Sequence, residues 1–355
     1  MRLRLEAANG AVEVMHGCIV APSGLFDRRI AVPDGMLHPG LINAHDHLRL
    51  NHFGRLGRGP YANAYDWATD IQKRHRAIIA AGRTVPRRAA LLWGAWKNLL
   101  AGVTTVVHHD SWEPDFEHNF PLHVARIPFA DSLGMTPKLT HPPDGPFALH
   151  LAEGMDTAAA EELRTAADLG LLDARLLAVH VVGADADGIA RMRDSGGAVL
   201  WCPTSNRFLF GRTTPAALLA NGIDVLLGTD SLLTGDGDLL DELRAVRGVA
   251  LTDARLLDAV GELAARRLGL AAPSLDVGAR ADLVIARRPL LDASAADIAL
   301  VMVAGALRVL DPALLPQASM TGGQLFTHKG MCRWISETAE LPVRAPSTAA
   351  AYPRV

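Results

Sequence analysis

Alternation is the feature that most limits how this chain can fold. From residue 37 to residue 268, short β-branched or apolar runs give way to stretches with helical apolar spacing, about eight times over. Runs at 37–47, 103–109, 147–151, 176–182, 198–202 and 225–227 read as strands. Stretches at 67–82, 85–100, 158–169, 187–194, 215–221, 239–246 and 252–268 read as helices. The 85–100 helix is the clearest, with Leu91, Leu92, Trp96, Leu99 and Leu100 on one broad face and Gly102 just past its end. Parallel βα units in that number close most naturally into a (β/α)8 TIM barrel, an α/β architecture, with an open doubly wound sheet as the competitor.

The placement of polar residues decides for the barrel. His45, His47, His109, His150, His180 and Asp230 all fall at the C-terminal ends of predicted strands, the face on which barrels build their sites. Between residues 109 and 150, candidate strands at 123–129 and 137–140 leave little chain for helices. One or two outer helices are therefore expected to be missing or reduced.

Both chain ends are rich in short β pieces. Those in residues 1–32 are broken by Asn9-Gly10 and Ser23-Gly24, and later ones fall at 282–285, 300–303 and 307–310. They are natural partners in a small β-sandwich. The expected organisation is a sandwich from 1–36 and 275–320, a barrel over 37–274 and a C-terminal extension over 321–355. The last ten or so residues, rich in Pro and Ala, are read without regular structure.

Composition narrows the function classes. A chain of 355 residues that is 49% hydrophobic and 21% charged is an ordinary globular one. A net charge of -3 without a basic stripe gives no support to nucleic-acid binding. Cys18, Cys202 and Cys332 lie far apart with no CxxC, which argues against a disulfide framework and fits a reducing compartment. The first residues lack the apolar run of a signal peptide, and no run is long enough to span a bilayer. A cytoplasmic protein with a small-molecule substrate and no membrane partner is expected.

The chemistry starts at His45-Asp46-His47. Alternate residues of a strand point the same way, so both imidazoles can address one point. Each candidate has an ordinary explanation when taken alone: a hydrogen-bonded strand histidine for His45, His47, His150 or His180, a helix-opening glutamate for Glu153, a turn or N-cap aspartate for Asp230. Taken together they face one barrel mouth. Three imidazoles and a carboxylate suit one divalent metal, Zn²⁺ first and Fe²⁺ second. Glu153, three residues past His150, can reach the same mouth. A bound metal lowers the pKa of water from about 16 towards about 7, and a nearby carboxylate can carry the proton to a leaving nitrogen. Candidate substrate contacts are His109, Trp112 as a stacking surface, Asn206, and Arg207 for an anionic group. His328 and Cys332 are too few ligands for a second site.

Pro39-Gly40-Leu41-Ile42-Asn43-Ala44-His45-Asp46-His47, Gly102-Val103-Thr104-Thr105, His150-Leu151-Ala152-Glu153, His180, Cys202-Pro203-Thr204-Ser205-Asn206 and Gly228-Thr229-Asp230-Ser231 stand in that order. The set resembles the amidohydrolase superfamily, in the branch of triazine chlorohydrolases and guanine, cytosine and S-adenosylhomocysteine-type deaminases. Gly278-Ala279-Arg280-Ala281-Asp282-Leu283 is similar to the strand by which such chains return to their β-sandwich. The resemblance spans roughly residues 1–310. It implies a barrel with a β-sandwich beside it, and one metal held by His45, His47, His150 and Asp230. It implies Glu153 as proton shuttle, His180 as the group polarising substrate, Asp230 as a second proton acceptor, and a homodimer. Lys138 is the sole lysine where binuclear members carry a bridging one, and its flanks do not match, so a single metal is expected. The activity implied is hydrolysis of a C–N bond in a small nitrogen heterocycle, a deamination releasing ammonia. The alternative is cleavage of a cyclic amide or displacement of another leaving group from such a ring. The remaining reading, an inactive scaffold, is disfavoured because none of the six polar residues is lost.

Overall fold

A computed structural model describes residues 1–135, 144–220, 222–320 and 322–336. The parallel strands fall into two sheets. One holds β1 (Leu41–Asp46), β2 (Val103–His108) and β3 (His123–Ala125). The other holds β4 (Phe129–Ala130), β5 (Phe147–Leu151), β6 (Leu176–His180), β7 (Ala198–Trp201) and β8 (Asp224–Leu227). In both, strand order in space is strand order in the chain. Every residue of β1, β2, β5, β6 and β7 is buried, as expected of parallel strands covered on both faces. Just past β8 the two sheets meet. The N–H groups of Thr229 and Asp230 both donate to the carbonyl of His45, each at 3.1 Å.

Helices α1 (Ala64–Arg74), α2 (Arg76–Gly82) and α3 (Arg87–Leu100) lie between β1 and β2. α4 (Thr157–Asp168) follows β5 and α5 (Ala186–Ser195) follows β6. α6 (Pro203–Phe210) and α7 (Ala216–Ala220) separate β7 from β8; α8 (Leu239–Val246), α9 (Asp253–Asp258) and α10 (Glu262–Arg267) come after it. Between β2 and β3 stands only the 3-10 turn Pro114–Glu117, and residues 126–128 alone join β3 to β4. The outer layer is thus thin where the chain was read as short.

Several elements differ from their sequence expectation. The run at 37–47 is two strands in two sheets, divided at Gly40. A Cβ on Gly40 would sit 2.2 Å from Thr104 Oγ1, so only glycine lets the chain cross there. The helix at 67–82 is broken at His75, and that at 252–268 at Gly261, whose backbone (φ -133, ψ -116) is not helical. The run at 123–129 is two short strands with Pro128 between them. α6 was not expected; Pro203 opens it at a first-turn position where its missing N–H costs nothing. The strand expected at 137–140, Lys138 and the tail beyond 336 lie outside the described residues, as does Asn221 of the helix expected at 215–221.

A separate pair of sheets packs beside the parallel ones. Cys18–Val20, Gly10–Met15, Leu3–Ala7 and Arg28–Val32 form one. Gln324–His328, Met331–Ile335, Ala306–Leu310, Ile298–Val303, Leu283–Ala286 and Met36–Pro39 form the other. Leu5 and Ile30 of the first share a core with Ile285, Met302 and Trp334 of the second. The hairpin over 324–335, read in the sequence as part of an extension, joins this sheet through Val309–Ile335 and Leu310–Trp334 pairs. Among the described residues no helix is long and apolar enough to cross a membrane.

Candidate metal centre

Strand ends carry every proposed ligand. His45 lies within β1 and His47 one residue past it. His150 is the penultimate residue of β5, His180 the last of β6, and Asp230 follows β8. The backbone there is strained. Ala152 (φ 50), His180 (φ 70), Val181 (φ 47) and Asp230 (φ 55) all occupy the left-handed region without being glycine, a conformation that persists only when neighbours enforce it. Val181 N–H donates to Leu151 O at 3.1 Å, and Thr214 Oγ1 donates to His180 O at 2.6 Å.

The side chains converge. His150 Nε2 and His45 Nε2 are 3.3 Å apart. Ligand atoms of His45, His47 and His150 all lie within 4.8 Å of one another, as do those of His150, Glu153 and His180. Asp230 Oδ1 is 3.8 Å from His47 Nε2, while Oδ2 accepts from Ser205 Oγ at 2.7 Å and Thr234 Oγ1 at 2.9 Å. Glu153 Oε1 is 3.5 Å from His180 Nε2. His47, His150, Glu153, His180 and Asp230 line a cavity of about 140 Å³, walled also by Trp67.

Burial separates the charges of these groups. It holds His45 and His150 well below the usual histidine range, with neighbouring imidazoles pushing the same way. Burial also works against a charge on His47, but Asp110, Asp230 and Asp46 outweigh it and raise it to about 9. Burial lifts Glu153 to about 7, with His180 opposing and Asp230 reinforcing. Asp230 goes the other way: His47, His180 and the Ser205 hydrogen bond overcome burial and bring it to about 2. Two carboxyls lining one cavity are thereby prepared for different roles.

These residues fit a divalent cation. Two buried Nε2 atoms facing each other at 3.3 Å need a proton or a cation between them. Among the described residues, His45 Nδ1 is buried with no hydrogen-bond partner. Imidazoles kept neutral at His45 and His150, a third at His47 once it yields its proton to the ion, and an ionised Asp230 make the donor set that Zn²⁺ takes. Asp110 Oδ2, 3.2 Å from His47 Nδ1, stands where a carboxylate orients a ligating histidine.

The remaining candidates divide. The His109 ring is 4.3 Å from that of His150 and 4.7 Å from that of His45; its Nε2 is 3.2 Å from Ala130 O and its Nδ1 is buried without a hydrogen-bond partner among the described residues. Asn206 sits behind His180, its Oδ1 2.7 Å from Nδ1. Trp112 packs under Arg126 and donates to Glu117, and exposed Arg207 donates to Ala245 O; neither lines the cavity. Sequence reasoning missed Asp46, Lys97 and Ser205, which support the cluster from behind, and Asp131, 3.9 Å from His150 Nδ1. Asp46 and Ser205 stand inside motifs without a role assigned to them, and nothing in the sequence marks Lys97 or Asp131.

Comparison with known proteins gives a family likeness for part of the chain and a fold likeness for most of it. The model of the Amidohydrolase family matches residues 145–308, the span that carries His150, Glu153, His180 and Asp230. The amidohydrolase resemblance is thereby borne out over this span. A 5-methylthioadenosine/S-adenosylhomocysteine deaminase of Halobacterium salinarum is 33% identical over 142 residues, 37% of this chain and 33% of that protein. An aminodeoxyfutalosine deaminase of Deinococcus radiodurans is 44% identical over 70 residues, 19% of this chain and 17% of that protein. The matches thus span a third or less of these relatives' lengths. An adenosine deaminase from Xanthomonas campestris, solved with bound zinc, superposes with a TM-score of 0.66 at 20% identity, over 88% of this chain and 94% of that one. The atrazine chlorohydrolase of Arthrobacter aurescens TC1, complexed with zinc, gives 0.61 at 20% identity over 84% and 90%. These two share the fold.

Proposed function

We propose that this protein is a metal-dependent hydrolase that deaminates a small nitrogen heterocycle. The observation that carries the reading is the position of Glu153, poised near neutral pH and 3.5 Å from His180, in one cavity with His47, His150 and Asp230. His45, His47, His150 and Asp230 would hold one divalent ion, zinc in preference to iron. When bound, that ion supplies a Lewis acid that makes water acidic enough to attack at neutral pH.

The protein's own groups do the rest. Glu153, at about 7, takes a proton from water at its carboxylate and returns it to the exocyclic amino nitrogen, which departs as ammonia, since proton carriers work best near the operating pH. Asp230, at about 2, suits ligation better than proton carriage. His180 donates from Nδ1 to Asn206 Oδ1, which leaves Nε2 to face Glu153 and the substrate. Trp67 and Leu50 wall both the cluster cavity and a neighbouring apolar one of about 490 Å³. A heterocycle bearing an apolar arm matches that shape, as do the nucleoside thioethers in the names of the deaminase relatives.

The fold supports the same reading. We take the two parallel sheets as arcs of one (β/α)8 barrel closed where Thr229 and Asp230 meet His45, over 37–274. The flanking sheets are a β-sandwich of 1–36 and 275–320, with the 324–335 hairpin added to it. A cytoplasmic setting and a homodimer complete the proposal, the latter measured by light scattering.

Zinc-loaded protein assayed on purine nucleosides, pyrimidines, pterins and triazines tests the activity. Ammonia released in step with substrate loss is expected. Product formed without ammonia points to the alternative ring hydrolysis. Glu153→Gln is expected to retain zinc while turnover falls by about 10²-fold or more; unchanged turnover removes Glu153 from its role.

A further inference from the structure

The buried ammonium of Lys97 lies behind the cluster. Lys97 belongs to α3, whose other charged residues, Arg87 and Arg88, lie at its outer start, yet its own side chain is 8% exposed. Nζ is 2.9 Å from Asp46 Oδ2, 2.9 Å from Thr229 Oγ1 and 3.0 Å from Asp230 O. Three donors meet three acceptors, which leaves nothing on the ammonium unsatisfied. Asp46 stands between His45 and His47; Thr229 and Asp230 form the loop after β8. One side chain therefore grips both halves of the proposed ligand set, which are more than 180 residues apart in sequence.

The rest of the network serves the same junction. Asp46 Oδ2 also accepts from Asn98 Nδ2 at 2.7 Å, and Oδ1 accepts from Asn51 Nδ2 at 2.7 Å. Asn43 Nδ2 donates to Thr229 Oγ1 at 2.9 Å, and Thr229 N–H donates to Asn43 Oδ1 at 3.2 Å. A bare cation behind a metal site would repel the metal. Asp46 cancels that charge, so the lysine can be kept for its geometry.

We propose that Lys97 is a positioning residue: it locks the His45–His47 strand to the Asp230 loop and so sets the spacing of the metal ligands. The inference rests on the metal reading above. Hydrogen bonds behind a ligand shell are worth about 10–100-fold in metal affinity, and this one acts on three ligands at once.

The test measures zinc affinity by competition with a chromophoric chelator, and the visible spectrum of the cobalt-substituted protein. Lys97→Met is compared with Lys97→Met/Asp46→Asn, which removes the orphaned carboxylate that could unfold the single variant. Circular dichroism and the melting temperature of the metal-free proteins report the fold. The expected result is a folded double variant whose zinc affinity is still about tenfold or more weaker, with an altered cobalt spectrum, because the Lys97 bonds that tie Thr229 Oγ1 and Asp230 O to the β1 side are gone. A folded variant with wild-type affinity and spectrum overturns the positioning role alone. A wild-type protein that takes up no zinc overturns the metal reading, and this inference with it.

Discussion

Asn206 Oδ1 lies 2.7 Å from His180 Nδ1, and this contact decides which ring nitrogen His180 turns towards Glu153. The amide has one orientation to choose from, because its Nδ2 donates to Thr213 Oγ1 at 3.3 Å and Thr214 Oγ1 at 3.4 Å. Its oxygen must then accept, so Nδ1 carries the hydrogen and Nε2 is left as the acceptor. Replacing Asn206 by Leu frees the ring and its tautomer. Turnover is expected to fall by about 10–100-fold with zinc content unchanged, since Asn206 touches no ligand of the metal. Loss of zinc in step with activity would count against this account.

Asp110 has the complementary task. Its carboxylate is 3.2 Å from His47 Nδ1, and it is the largest influence raising that imidazole. A carboxylate in this position fixes the ring and strengthens the other nitrogen as a donor. Asp110→Asn is expected to weaken zinc binding by about 10–100-fold and, by removing the main partner of the His47 imidazolium, to lower the melting temperature of the metal-free protein while it still unfolds cooperatively. Equilibrium dialysis against a chelator series reads the first quantity and calorimetry the second.

How far such a site can be read from sequence depends on whether its residues sit on regular elements. His45, His150, His180 and Asp230 were legible because each ends an apolar run, and strand ends of parallel units share one face. Lys97 was not legible: at its place in the 85–100 pattern a lysine reads as part of a solvated face, and only Asp46 and Thr229, contributed by β1 and the loop after β8, turn it inward. Asn206 stood in a quoted motif but was taken for a substrate contact, because α6 was not foreseen. That helix starts directly after β7, so the residue points behind His180 instead of into the cavity. The split of 37–47 at Gly40 escaped notice for a similar reason. One apolar run can serve two sheets when a glycine lets the backbone pass, and the clash that demands the glycine comes from Thr104, sixty-odd residues away.

Gly228 marks a second such close approach. A Cβ there would stand 2.6 Å from His45 Cβ and 2.9 Å from Leu200 Cδ2. Neither can move freely, since His45 lies in the fully buried β1 and Leu200 in the fully buried β7. Gly228→Ala is expected to cost about 1–3 kcal/mol of stability, as overpacking does. The strain falls on His45, so zinc affinity should weaken as well. Chemical denaturation of the metal-free protein and a zinc titration measure the two effects. A variant with reduced stability but intact zinc affinity would show that β1 absorbs the methyl without moving its histidine.

Glu242, buried on α8, gives the fold a pH dependence of its own. Burial pushes its carboxyl from an ordinary value of 4.5 up to about 8, against the pull of two hydrogen bonds from Thr204. One of these is Thr204 N–H to Oε2 at 3.0 Å, and the other joins the Thr204 hydroxyl to Oε1. The folded protein therefore keeps this proton up to about pH 8, while the unfolded chain releases it near 4.5. Between those values the folded state binds more protons, so stability falls as pH rises. The contribution is fully present below about 4.5 and is lost through about 8. Glutamine keeps the shape without a titrating proton: its oxygen accepts from Thr204 N–H, and its NH2 donates to the Thr204 hydroxyl in place of the bond that the hydroxyl donated. Glu242→Gln is thus expected to match the wild type near pH 5 and to melt progressively higher than it towards pH 9, measured on metal-free protein so that zinc binding does not enter. A gap in melting temperature that stays constant across this range would mean that Glu242 is already ionised inside the fold, with Lys97 or Thr204 holding its charge.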